Sequence, residues 1–257
     1  MLLTLKPAMA AGPNIDDMTW TEVRDALRAG QSTVIIPVGG TEQSGAHMAL
    51  GKHNVRVKVL AERIANELGN ALVAPVIAYV PEGSISPPSQ HMRYLGTVSI
   101  SPAAFTGVVE GAARSFRQHG FVDVVLIGDH GGYQHLLAEV AKRLNREAPH
   151  SRTRVHFIGT YYDAAVQPYQ QLLREHGLTD AQIGVHAGAA DTALMLAIDP
   201  ALVRPAQMSS PMSVEALRAL GVVGDPSVAT ATLGRLGTDL IVSRTVLAIR
   251  KAVERSH

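Results

Sequence analysis

The stretch Thr33–Val38 reads TVIIPV, and the stretch Val122–Ile127 reads VDVVLI. Each is a short run of mainly β-branched and aliphatic residues, which is typical of a strand buried on both faces of a parallel sheet. A glycine-rich turn follows each of them closely. Because ligands bind beyond the carboxyl ends of the strands in open α/β sheets, these two turns are the first places to look for a functional site.

The rest of the chain alternates helical and strand patterns. His53–Leu68 has apolar residues at helical spacing and ends at Gly69. Glu82–Gly96 is rich in Pro, Gly and Ser and predicts a long loop. The other predicted strands are Ala71–Val80 and Arg154–Ile158, and the other main predicted helices are Ala103–His119, Leu136–Leu144, Asp163–His176, Asp191–Ala197 and Thr238–Arg255. This alternation predicts an α/β fold, a three-layer α/β/α sandwich with a mostly parallel central sheet.

Composition excludes several classes of protein. The 257 residues are 46% hydrophobic and carry a formal net charge of +1, which suits a chain with a real core rather than a disordered one. There is no Lys/Arg cluster for nucleic acid and no apolar run of about 18 residues for a membrane span. The absence of cysteine excludes disulfides, thiolate metal ligands and a cysteine nucleophile.

We divide the chain into a flexible N-terminal tail, residues 1–15, and a single domain, residues 16–257. The apolar start of the tail is interrupted by Lys6 and Pro7, which favours an ordinary tail over an export signal. We therefore expect a cytoplasmic location, with a periplasmic or secreted protein as the alternative.

Four segments combine glycine with histidine or a carboxylate. They are Pro37–His47 (PVGGTEQSGAH), Gly51–Asn54 (GKHN), Gly128–Gly132 (GDHGG) and His186–Thr192 (HAGAADT). A single glycine-rich turn could simply bind a phosphate through its backbone N–H groups. Four such segments at one edge of the predicted sheet favour a metal site, since carboxylate and imidazole are the ligands of zinc, manganese and iron.

In the order and spacing of these motifs, from about Asp16 to Arg250, the chain resembles the creatininase family of metal-dependent amidohydrolases. The resemblance rests on PVGGTEQSGAHMALGKHN at Pro37–Asn54, QHMRYLGT at Gln90–Thr97, GDHGGY at Gly128–Tyr133 and HAGAADTA at His186–Ala193. It implies a doubly wound α/β sandwich that forms a homo-oligomer, up to a hexamer. It also implies a two-metal site that hydrolyses cyclic amides or related C–N bonds of small molecules.

The chain departs from the family pattern at four positions. By the resemblance, Ser44 replaces a histidine ligand of the second metal, His53 the aspartate that bridges the two metals, and Asp191 a glutamate. Gly132 stands where the creatinine-hydrolysing members carry a metal-binding glutamate. An imidazole offers a metal one neutral nitrogen, so His53 cannot bridge two ions as a carboxylate does.

We therefore expect one divalent ion per chain, Zn, Mn or Fe, held by Glu42, His53, His130 and Asp191. Water bound to this ion would be the nucleophile, with Glu42 and His186 as catalytic residues and His186 as the proton shuttle. The residues expected to contact the substrate or to support these groups from behind are Ser44, His47, His91, Arg93, Tyr94, Asp129, Gly131, Gly132 and Tyr133.

Two other functions remain open at this point. Two histidines and a carboxylate around one metal also describe iron enzymes that activate oxygen or catalyse eliminations. The altered ligand positions are also compatible with a non-catalytic scaffold that keeps the family fold, although an imidazole in place of a carboxylate favours an altered metal site.

Overall fold

The computed structural model describes residues 12–208 and 213–255. Its sheet has four parallel strands in the order β2-β1-β3-β4: β1 (Thr33–Val38), β2 (Ala71–Val73), β3 (Asp123–Gly128) and β4 (Arg154–Phe157). In the central pair, Thr33 lies opposite Asp123 and Val38 opposite Gly128. The strand order reverses direction between β1 and β3, so the turns that follow them flank the crevice where this class of sheet binds ligands.

Helices cover both faces of the sheet and confirm the predicted three-layer sandwich. The helices are α1 (Trp20–Arg28), α2 (Lys52–Leu68), α3 (Pro102–Gln118), α4 (Gln134–Glu147), α5 (Thr160–Glu175), α6 (Asp180–Ile183), α7 (Ala189–Ile198), α8 (Pro205–Met208), α9 (Val214–Ala219) and α10 (Ala231–Glu254). Helices α2, α5, α7 and α10 pack on one face, against Ile35 and Val125. Helices α1, α3 and α4 pack on the other, against Val34 and Val124.

Strand β2 is shorter than the predicted strand Ala71–Val80, and Pro75 gives the reason. Ile35 pairs with Val73, but three residues further along β1, Val38 pairs with Ile77 rather than Val76. One extra residue is therefore accommodated around Pro75, which has no N–H to donate to the ladder. The chain then continues to Val80, which bridges to Ser99 two residues before the predicted loop Glu82–Gly96 begins.

The N-terminal tail is described in part. Residues 1–11 lie outside the described residues. Within the rest of the predicted tail, the carbonyl of Pro13 accepts a 2.8 Å hydrogen bond from the backbone N–H of Val73, and Ile15 begins a 3-10 turn. Within residues 12–208 and 213–255, no helix is long and apolar enough to cross a membrane.

Helix α10 crosses α7 at a glycine. A Cβ atom at Gly234 would overlap the backbone carbonyl of Ala193 and press on the side chain of Ala197. A Cβ atom at Gly107, on the exposed side of α3, would meet no atom within 4 Å. Both glycines lie inside helices, so they differ in packing and not in helix propensity.

We expect Gly234→Ala to lower the free energy of unfolding by about 1–3 kcal/mol, because the overpacked contact forces α7 and α10 apart. Gly107→Ala is the matched control and should raise it by about 0.5–1 kcal/mol through better helix propensity. Chemical denaturation of both variants measures the two values. Equal effects of the two substitutions would contradict the close approach of α7 and α10.

Candidate metal centre

Glu42 lies just beyond β1 with its carboxylate fully buried. Its Oε1 atom accepts a 2.8 Å hydrogen bond from Nε2 of His53 and lies 3.5 Å from Nζ of Lys52. Burial acts to raise the pKa of Glu42, but the charge of Lys52 and the hydrogen bond from His53 outweigh it and hold the pKa well below its usual range. Glu42 is therefore a carboxylate with one oxygen next to Lys52 and His53 and the other directed away from them.

The other oxygen, Oε2, faces two histidines and a second carboxylate. It lies 3.1 Å from Nε2 of His91 and 3.3 Å from Nε2 of His130. Nδ1 of His130 is in turn 3.5 Å from Oε2 of Glu82. One ligand atom from each of these four residues lies within 4.8 Å of all the others. We call Glu42, Glu82, His91 and His130 the metal quartet.

The metal quartet fits a divalent ion. Oε2 of Glu42 and both carboxylate oxygens of Glu82 are buried and have no hydrogen-bond partner among the described residues. Neighbouring ligands on one ion, at bonds of about 2.1 Å, stand about 3.0–3.4 Å apart, close to the observed nitrogen–oxygen distances. Two imidazoles and two carboxylates are a ligand set for Zn, Mn or Fe.

Glu82 is a member of the metal quartet that our sequence reasoning missed. Its backbone N–H donates a 3.0 Å hydrogen bond to Oγ of Ser99, which fixes the start of the loop. A Cβ atom at Gly40 would lie 2.6 Å from Oε1 of Glu82, so this position needs a glycine to let the carboxylate approach. Burial, together with the nearby Glu42 carboxylate, raises the pKa of Glu82 to about 9. Two adjacent buried carboxylates need a proton or a cation between them.

Asp191 lies on the other side of Glu42, in a network of protein charges. Its Oδ2 accepts hydrogen bonds from Nζ of Lys52 at 3.2 Å and from the backbone N–H of Ala187 at 3.0 Å. Its Oδ1 accepts a 2.9 Å bond from Arg56, whose guanidinium also donates to Asp129. Burial opposes ionisation of Asp191, but Lys52 and Arg56 hold its pKa well below the usual range. Protein cations thus already neutralise this carboxylate.

His53 lies between the carboxylate of Glu42 and the carboxylate of Asp129. Its Nε2 lies 2.8 Å from Glu42 and its Nδ1 lies 2.7 Å from Asp129. Both ring nitrogens face carboxylate oxygens, which only accept hydrogen bonds. Of the four metal ligands expected from the sequence, the structure brings Glu42 and His130 into the metal quartet and places His53 and Asp191 in contact with protein charges.

His186 lies beside the metal quartet, and one of its ring nitrogens is hydrogen-bonded to the backbone. Its Nε2 lies 3.0 Å from the backbone carbonyl of Gln43 and donates to it, while its Nδ1 lies 3.7 Å from Oε1 of Glu42. Burial and the charge of Lys52 lower the pKa of His186 to about 4. The ring is therefore neutral near pH 7, and Nδ1 carries the lone pair that can accept a proton.

The turn after β3 holds His130 in place. The Tyr133 hydroxyl lies 2.6 Å from the carbonyl of Gly39 and accepts 3.1 Å hydrogen bonds from the backbone N–H groups of Asp129 and His130. The backbone N–H of Gly132 donates to Nδ1 of His130 at 3.3 Å. Tyr133 and Gly132 thus fix the turn and the imidazole. Gly131 lies under the hydroxyl of Tyr162, where a Cβ atom would collide with it.

The remaining residues expected at the site differ in burial and in contacts. Ser44 is buried, and its hydroxyl has no hydrogen-bond partner among the described residues. His47 is buried and pairs with the hydroxyl of Thr192 at 3.0 Å. Arg93 is exposed and Tyr94 half-buried, and neither lines the cavity of the site. His91, expected to contact substrate, is instead a member of the metal quartet.

A cavity of about 420 Å³ opens over the site. This volume suits a small molecule. Its polar side is formed by Glu42, Lys52, His91, His130 and His186. Its apolar side is formed by residues of α5 and α7, including Ala165, Val166, Ala190 and Leu194. A ligand bound here would contact polar groups at one end and aliphatic side chains at the other.

Comparison with known proteins places the chain in a family. The family model for creatininase, described as creatinine amidohydrolase, matches residues 16–249. A creatinine amidohydrolase of Pseudomonas putida is 31% identical over 194 residues, which is 74% of this chain and 73% of the relative. A mycofactocin precursor peptide peptidase of Mycolicibacterium smegmatis is 28% identical over 220 residues, 78% of this chain and 77% of the relative.

A solved structure described as "Creatininase Mn" matches with a TM-score of 0.76 at 27% identity and covers 94% of this chain and 98% of its own. The family match and the fold agree over nearly the whole chain, and the sequence relatives over about three quarters of it. The protein is a member of the creatininase family.

Proposed function

We propose that this protein is a metal-dependent hydrolase of a C–N bond in a small amide, with one divalent ion held by the metal quartet. The observation that carries the proposal is the convergence of four ligand atoms within 4.8 Å, with three buried carboxylate oxygens that have no hydrogen-bond partner among the described residues. The names of the relatives, an amidohydrolase and a peptidase, support hydrolysis of an amide-type bond.

A divalent ion held by Glu42, Glu82, His91 and His130 would supply Lewis-acid chemistry, polarising a carbonyl and lowering the pKa of water. His186 moves the proton. Its free Nδ1 accepts a proton from the attacking water, and the same nitrogen then delivers that proton to the leaving nitrogen as the C–N bond breaks. The products are a carboxylic acid and an amine, so the atoms of one water molecule are divided between them.

The charges that line the cavity favour a substrate that is neutral at its reacting end. Lys52 is paired with Glu42 and Asp191, and Arg56 is paired with Asp129 and Asp191. Neither cation is left over to bind a substrate carboxylate. The aliphatic side formed by α5 and α7 would take a compact apolar part of the molecule. We therefore infer a small, uncharged amide or lactam as the substrate class.

Glu82→Gln tests the metal quartet. The substitution keeps the shape of the side chain but cannot form the carboxylate that Glu82 would offer to a metal, so we expect the affinity for Zn²⁺ or Mn²⁺ to fall by at least about 100-fold. Glu139→Gln, on the exposed side of α4, is the matched control and should bind metal as the natural protein does. Titration calorimetry with each metal gives the two affinities. Equal metal affinity in both variants would contradict the role of Glu82 as a metal ligand.

His186→Asn tests the proton transfer. We expect kcat to fall by about 10²–10⁴-fold with unchanged metal content, because the variant lacks a group that can carry a proton at Nδ1. His135→Asn, at an exposed position of α4, is the control. The assay is a panel of amides and lactams with protein loaded with Zn²⁺, Mn²⁺ or Fe²⁺.

The same panel separates the rival functions. Metal-loaded natural protein that hydrolyses no member of the panel would contradict the hydrolase proposal. Oxygen consumption by the Fe²⁺ form would instead favour an iron enzyme. Failure to bind any of the three metals would favour a non-catalytic scaffold.

A further inference from the structure

Lys52 is a lysine in an unusual place. It opens α2, and its side chain is 1% exposed, whereas lysine is almost never fully buried unless it is paired. Its Nζ lies 3.2 Å from Oδ2 of Asp191 and 3.5 Å from Oε1 of Glu42. Two carboxylates from different parts of the chain thus converge on a single positive charge.

This charge lies on one side of the Glu42 carboxylate. Oε1 faces Lys52 and His53, whereas Oε2 faces His91 and His130, and His130 in turn contacts Glu82. On the first side the negative charges of Glu42 and Asp191 are already neutralised by Lys52 and Arg56. On the second side the carboxylate oxygens have no hydrogen-bond partner among the described residues. The first side is thus neutralised by protein cations, whereas the second side offers carboxylate oxygens that a cation could bind.

We propose that the Lys52 ammonium is a fixed second cation of this centre, which limits the centre to one divalent ion and donates an N–H to the carbonyl oxygen of the substrate. The inference rests on the proposed function, since it names the partner of the metal in the same site. Lys52 lines the cavity. An ammonium has three N–H donors; two can serve Asp191 and Glu42, which leaves a third for the cavity.

The electrostatics of the site favour this arrangement over two metal ions. Two divalent ions about 3.5–4 Å apart repel each other and need bridging anions. Here Glu42 is the carboxylate that has one oxygen on each side, and His53 lies against it where a second carboxylate would be needed. A monovalent ammonium halves the charge on that side. It is also held in position before the substrate arrives, so it can stabilise negative charge on the carbonyl oxygen without reorganisation.

Uptake of Mn²⁺ tests the inference without a substrate. We expect the natural protein to bind one Mn²⁺ per chain, with the electron paramagnetic resonance spectrum of an isolated ion. Lys52→Met fills the space but removes the charge beside Glu42, so the affinity for that ion should rise by roughly tenfold. Lys52→Ala removes the charge and also leaves space for a second ion. Uptake should therefore rise toward two Mn²⁺ ions per chain, with an exchange-coupled spectrum. Lys142→Met, at an exposed position of α4, should behave as the natural protein.

Two results would overturn the inference. One is two Mn²⁺ ions per chain in the natural protein, with Lys52 in place. The other is a single ion of unchanged affinity in both Lys52 variants. If Lys52→Met fails to fold, Lys52→Gln keeps an N–H donor without the charge and should show the same gain in affinity. A protein that binds no metal at all would overturn the proposed function instead, so the two failures are distinguishable.

The second part of the inference has its own measurement. On an amide identified by the panel, kcat of Lys52→Met should fall by at least about 100-fold with a smaller change in KM, because the N–H acts mainly as charge develops on the carbonyl oxygen. A lysine with a purely structural role would change thermal stability but leave kcat of the folded variant near the natural value. That outcome would contradict the proposed hydrogen bond from Lys52 to the carbonyl oxygen of the substrate.

Discussion

The site depends on the buried carboxylate of Glu42, whose two oxygens serve different partners. Oε1 is bound to His53 and lies near Lys52, whereas Oε2 faces His91 and His130. The position of Glu42 just beyond β1 puts it at the reversal point of the strand order, next to the turn after β3. A buried charge at this point is tolerated because Lys52 neutralises it on one side and His53, His91 and His130 surround it, and this requirement explains most of the neighbouring polar residues.

Arg56 extends the same charge balance into the core. It binds Asp129 and Asp191, and Asp129 in turn holds His53 against Glu42. A buried ion pair of this kind costs desolvation energy and gives little net stability, but breaking it leaves an uncompensated charge. We interpret this network as the rigid support that fixes Glu42, while the metal quartet on the opposite side is left for a cation.

The sequence predicted the parts of the structure that follow from periodicity. β1 was predicted with its observed boundaries and β3 with a shift of one residue, because a buried strand is an apolar run that ends where the chain turns. Glu42 and His130 could be found because they follow these strands closely. Strand β2 was predicted too long, since the pattern does not show that Pro75 interrupts the ladder.

Glu82 and Lys52 could not be found in the same way. Glu82 lies in an aperiodic loop, and its position depends on the hydrogen bond to Ser99 and the space left by Gly40, which are contacts between distant parts of the chain. Lys52 follows a glycine at the start of a helix, where a lysine is normally solvated. In the motif Gly51–Asn54, the residue type that indicates metal binding is His53, next to Lys52. The one visible hint in the sequence is the pair Gly39-Gly40, which leaves room for Asn54 and Glu82.

The most direct test of the account is a crystal structure of the natural protein soaked with Mn²⁺ or Zn²⁺, with anomalous scattering used to locate the ions. The account predicts one anomalous peak per chain, surrounded by Glu42, Glu82, His91 and His130, with Nζ of Lys52 still between Glu42 and Asp191. A peak bound by His53 and Asp191, or two peaks that share Glu42 with Lys52 displaced, would contradict it.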